Sequence, residues 1–184
     1  MKSIKLTHLT IVLFAVFTLF SGAEAAQTAA QIDREVNAGI LTLYAGSPVA
    51  KDLSKIAKGI LVFPDVVKAG LIVGGEYGKG ALLKEGKPIG YYNTIAASYG
   101  LQAGAQSFGY AMFFMTDEAL GYLKNSAGWE IGVGPSLVVV DEGVARSLTT
   151  TTAKDDVYVF FFNQKGLMAG IGLQGSKITQ IYPD

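Results

Sequence analysis

The sequence predicts an α+β domain with two N-terminal helices, one middle helix and a strongly curved, mainly antiparallel, partly barrel-like sheet. Three observations predict it. Apolar residues recur at steps of three and four between Gln27 and Gly59, and a further helical stretch follows Thr116. From Ile60 onward, short apolar runs separated by Gly, Pro and polar turns dominate. Glycines also recur inside those runs, as at Gly132 and Gly134 and at Gly170 and Gly172. A strand tolerates such glycines where the sheet bends sharply or another backbone comes close.

The first 25 residues read as a secretory signal peptide. Lys2 and Lys5 form a basic start, Leu9 to Phe20 an apolar run, and Ala23-Glu24-Ala25 a small-x-small cleavage pattern. The apolar run is shorter than the ~20 residues of a spanning helix. One domain, 26–184, is expected after cleavage, in the periplasm or outside the cell. Within it, Ala29, Ile32, Val36, Ile40 and Leu43 share one helical face. Gly46 stops that helix, and Ser47 caps a second with Pro48 at its first position. Val49, Leu53 and Ile56 are expected inward, Lys51, Lys55 and Lys58 outward, and Gly59 at the end.

The sheet is expected to begin with "ILVFP", a short apolar strand. The stretch "GLIVGGEYGKGALL" (Gly70 to Leu83) reads as two strands around a glycine-rich turn with Lys79 at its tip. "KEGKP" is a second turn, and strands follow through Met115. The middle helix has an N-cap Thr116, Asp117 and Glu118 in its first turn and Lys124 in its last, each suited to the helix dipole. "WEIGVGPSLVVVD", "DVYVFFFNQ", "GLMAGIGLQG" and "KITQIY" read as strands, and "RSLTTTTAKDD" as an exposed loop.

Composition excludes several chemistries. The only histidine is His8, within the signal peptide, and there is no cysteine. The mature chain therefore cannot build Ser-His-Asp or Cys-His nucleophilic sites, nor zinc sites on His or Cys. It also cannot be lipid-modified at a cysteine. It keeps 13 basic and 14 acidic residues, a net charge of about −1, so no global field favours nucleic acid. The glycine-rich stretch fails as a phosphate loop, because Gly78-Lys79 is followed by Gly80 in place of Ser or Thr and no helix follows. "GIGLQG" (Gly170 to Gly175) matches G-x-G-x-x-G, but only nine residues remain after it. The acidic pairs Asp117-Glu118, Asp141-Glu142 and Asp155-Asp156 read as a cap and two turns. No cofactor, metal site or catalytic residue is expected.

Several ordered motifs then carry a family resemblance. "KGILVFPDVVKAGLIVGGEYGKGALL" resembles the opening signature of the SYLF domain family. "VYVFFFNQKGLMAGIGLQGSKI" is similar to its closing signature, and "QAGAQSFGYAMFFMTDEAL" and "AGWEIGVGPS" fit its middle. The resemblance spans roughly Ile32 to Tyr182. It implies a non-catalytic lipid-binding module; eukaryotic relatives also engage actin, and bacterial ones are exported. It further associates lipid binding with basic residues and an amphipathic N-terminal segment. That implication selects Lys55, Lys58, Lys68 and Lys79 as lipid-binding residues. The expected function is peripheral phospholipid binding at the bacterial envelope, with anionic headgroups or the membrane surface as partner. The alternative is a protein-interaction or scaffold module with no lipid role.

Overall fold

The computed structural model describes residues 27–70, 73–99, 104–166 and 175–184. The predicted signal peptide and most of "GLMAGIGLQG" lie outside the described residues. The chain folds as the expected α+β unit. Helix α1 (Ala29–Gly46) begins with a capping box: Thr28 accepts from the Gln31 amide, and the Gln31 side chain accepts from the Thr28 amide. Ile32, Val36, Ile40 and Leu43 are its buried stripe. Ser47 caps α2 (Pro48–Leu53) through the Ala50 amide at 3.2 Å, with Pro48 at the first position. This helix stops sooner than its sequence suggests. Ser54 ends it, Ile56 is largely exposed, and Gly59 is already the first residue of a strand.

Among the described residues, eight strands form one sheet. They are β1 (Gly59–Gly70), β2 (Val73–Lys84), β3 (Lys87–Tyr99), β4 (Gly104–Phe114), β5 (Trp129–Glu130), β6 (Leu137–Val139), β7 (Val157–Gly166) and β8 (Lys177–Ile181). Their order is β5-β8-β3-β2-β1-β4-β7-β6. Among the described residues, every strand pairing is antiparallel except β6 with β7. The two edges, β5 and β6, are consecutive in the chain and joined by only 131–136. Six residues span at most about 20 Å, so the sheet must curl until its edges nearly meet. Helix α3 (Asp117–Asn125) packs Ala119, Leu120 and Leu123 into the concave side, as the Thr116 cap and first-turn acids predict. Helix α1 and α2 cover part of the convex side, over Ile60, Val62, Ala81, Leu83, Phe113 and Phe160.

Four local readings are corrected. First, "GGEYGKG" is not a turn: β2 runs through it without a break. Gly78 and Gly80 point to the concave side, where β1 and its ring lie against them. A Cβ at Gly78 would sit 2.7 Å from Val66 Cγ2, and one at Gly80 would collide with the Val62 carbonyl and approach Phe63 to 2.8 Å. The second expected turn, "KEGKP", is present: Glu85-Gly86 joins β2 to β3, and its φ values of 52° and 75° fit a type I′ hairpin.

Second, β1 does not end at Pro64. The register with both neighbours shifts there, and the proline, lacking an N–H, occupies the resulting bulge. Third, "WEIGVGPSLVVVD" is two short edge strands around a turn. Gly132 and Gly134 have φ of 109° and 93°, so they serve that turn and do not bend a strand. Fourth, a short helix that the sequence reading lacked precedes the loop "RSLTTTTAKDD" and takes only its first two residues, the rest being loop as expected. Asp141 accepts from the Val144 amide at 2.8 Å and starts α4 (Glu142–Ser147), a helix too short to show periodicity.

Candidate functional site

The pairing registers divide the sheet's residues between its two faces, because residues directly opposite each other share a face. On the convex side the two N-terminal helices reach about as far as Pro64, which would touch a Cβ placed on Gly39 of α1 at 3.2 Å. Beyond the bulge, the convex side carries the cross-strand row Lys177, Ile95, Tyr77, Val67, Ser107 and Lys165, from β8 to β7. Ile95, Tyr77 and Val67 are 50%, 47% and 49% exposed. The next row holds only small exposed residues: Ala97, Gly75, Ala69 and Ala105. On the other side of the apolar row lies Lys79, opposite Asp65 and Asn93.

The four lysines selected from the sequence do not converge. Lys55, past the end of α2, donates to Asp52 at 2.6 Å. Lys58 reaches Asp117 at 3.8 Å, beside the N-terminus of α3. Both stand at the start of β1, and Lys68 lies ten residues farther along. At ~3.3 Å per residue that places Lys68 roughly 30 Å from Lys58. Lys68 moreover faces the concave side, opposite Glu76 and Gln106. Lys79 faces the convex side, in the middle of β2 and not at a tip. It is the one member of the set beside the exposed apolar row. Lys165 and Lys177, which sequence reasoning passed over, stand at the two ends of that row. The signal for them was faint, since only strand register reveals that they end the same row.

The concave side carries a polar row under the same end of the sheet. Glu76 is buried and accepts from Ser176 Oγ at 2.9 Å. Burial pushes its carboxyl above the usual glutamate range, against the smaller opposing effects of the Ser176 hydroxyl and the Lys68 ammonium. Burial likewise pushes the Tyr110 hydroxyl far up, so it stays protonated. Among the described residues, the buried Tyr110 hydroxyl, Thr94 Oγ1 and Gln106 Oε1 have no well-formed hydrogen-bond partner.

Other features have structural roles. Trp129 is buried, and its Nε1 donates to the Val133 carbonyl at 2.8 Å. Two surface hollows, of about 550 Å³ beside Lys55 and Thr149 and about 300 Å³ between α1 and the start of β1, gather no convergent polar groups of catalytic type. Among the described residues, no cluster of three or more His, Cys, Asp or Glu is placed to hold a metal ion. None of the described helices is long and apolar enough to cross a membrane.

A family model described as "Ysc84: Las17-binding protein actin regulator" matches residues 95–182, somewhat under half of the chain. The matched segment runs from β3 through β8 and so includes Ile95, Lys165 and Lys177. No curated protein matches the chain.

Proposed function

From the premise that the chain carries a SYLF-type domain, which the family match supports, we propose that it is a peripheral phospholipid-binding protein of the bacterial envelope. The domain itself is non-catalytic, in keeping with a mature sequence without His or Cys. The observation that carries the lipid reading is the half of the convex sheet face that no described helix covers, where Lys79, Lys165 and Lys177 surround residues that bear no charge. A lysine near an anionic bilayer surface contributes about 1 kcal/mol. Three of them make attachment reversible and salt-sensitive and add to the apolar contact. The signal-peptide pattern of residues 1–25 supports export to the periplasm or beyond.

Vesicle flotation tests the reading. The mature protein should float with phosphatidylglycerol-containing vesicles at low salt and less at high salt, because exposed charges are screened over ~8–10 Å. Joint replacement of Lys79, Lys165 and Lys177 by Ala should weaken binding by tens of fold. Replacement of Lys55 and Lys58, already paired with acids, should change it less than two-fold. Absence of flotation at low salt removes the lipid function. A defined protein partner recovered under those conditions would then favour the scaffold reading.

A further inference from the structure

The resemblance associates lipid contact with an amphipathic N-terminal segment, and α1 has such a stripe. In the folded chain that stripe is already used. Ile32, Val36, Ile40 and Leu43 are all buried against the convex side of the sheet. The one large apolar side chain that α1 leaves mostly exposed is Leu41, at 67%. The sheet beyond the Pro64 bulge is the opposite case. Three large apolar residues from adjacent strands stand side by side, each about half exposed, with the small row behind them.

Isolated exposed apolar residues are ordinary; a contiguous patch rimmed by charge marks an interaction surface. We propose that this convex half-sheet is the surface that lies on the anionic bilayer, with Ile95, Tyr77 and Val67 entering the headgroup layer and Lys165 and Lys177 reaching phosphates on either side. The inference rests on the lipid reading above and adds where and how the protein docks.

Three properties fit a bilayer as the occupant. The lysines sit at the two ends of the row and the apolar residues at its centre. On the curled sheet the centre projects farthest, so the apolar residues meet the membrane first, while Lys177 and Lys165, on β8 and β7 beside the sheet edges, flank it from the two sides and extend toward the headgroups along their long side chains. The rim acids are fewer than the rim lysines: Asp65 opposite Lys79, and Glu130 opposite Lys177. The sheet edges, which could recruit a protein strand, are two and three residues long, and neither borders this row with an extended strand. In this orientation α1 stands to one side and is not a membrane helix.

The chain has no cysteine, so single cysteines give unique labels. An environment-sensitive dye on Val67→Cys or Ile95→Cys should shift to the blue on phosphatidylglycerol vesicles and be quenched by brominated phospholipid; the same dye on Leu41→Cys should not respond. The double substitution Val67→Thr and Ile95→Thr, at exposed strand positions, should keep the fold's circular dichroism and melting temperature and weaken vesicle binding at least about ten-fold. A response at position 41 but not at 67 or 95, with the wild-type protein floating, overturns the docking face and leaves the lipid reading standing. A wild-type protein that does not float overturns both. A sedimentation dimer abolished by the double substitution, with vesicle binding unchanged, would assign the patch to a second copy of the chain and also overturn the inference.

Discussion

Glu76 shows how a single residue reports on its surroundings. Its carboxyl lies beneath the sheet, hydrogen-bonded to Ser176 and near Lys68, and burial raises its pKa above the ordinary glutamate value. A group whose folded pKa exceeds its unfolded one holds more protons in the native state. Its favourable contribution is complete below the unfolded value and is lost as pH rises through the folded one. Stability measured by urea denaturation should therefore fall across the window just above pH 4.5. Glu76→Gln should flatten that slope and leave the protein at least as stable at neutral pH. A slope unchanged in the variant would show that the carboxyl is better solvated than its burial indicates. Lys68, its neighbour on the concave side, looked like any other lysine in the sequence. Its face follows from the bulge at Pro64, which shifts register by one residue, and a one-residue shift moves side chains to the opposite face.

At the scale of elements, glycine separates what was legible from what was not. The sequence marked the stretch from Gly74 to Gly80 as unusual but not why. Local rules read closely spaced glycines as a turn, because turns are where a glycine's conformational freedom is most often needed. Here the reason is a neighbour: β1 lies so close to Gly80 that any side chain there would strike the Val62 carbonyl. Gly80→Ala should consequently cost about 3 kcal/mol or prevent folding, since overpacking costs ~1–3 kcal/mol even where side chains can yield and here the obstacle is backbone. Gly121→Ala is the control. It lies within α3, meets nothing within 4 Å, and should stabilise by roughly 0.5–1 kcal/mol through helix propensity. Shifts in the urea midpoint measure both, and equal effects would refute the packing account. The helices were easier. The apolar stripe of α1, the Ser47 cap with Pro48, and the Thr116 cap with its acids are signals carried within a few residues of chain, and the structure uses each of them.

For the whole molecule, closure of the curled sheet is the deciding event, and Asp156 is one of its fasteners. Its carboxylate accepts from the Ser136 amide and hydroxyl, both at 2.9 Å, and from Thr116 Oγ1 at 3.4 Å. It thereby ties β7 to the segment that joins the two sheet edges and to the cap of α3. Those bonds, chiefly the Ser136 amide, hold the carboxyl below the usual aspartate range. The sign is opposite to that of Glu76: this contribution is present above the unfolded pKa and disappears as pH falls through the folded one. Asp156→Ala should lower stability by about 1 kcal/mol. Trp129, the only tryptophan, reports it directly, being buried beside the same segment. An unchanged thermal transition in Trp129 fluorescence would show that closure does not depend on this residue.

By itself the sequence determined the class of the fold, the positions of α1 to α3, the strand-rich remainder and the exclusion of His- and Cys-based chemistry. These follow from composition and from periodicities that repeat within a few residues. Only the tertiary structure decided which half of the convex face the N-terminal helices leave bare, and that Lys79, Lys165 and Lys177 surround it while Lys55, Lys58 and Lys68 do not. Strand register couples residues tens of positions apart, and no local pattern encodes it.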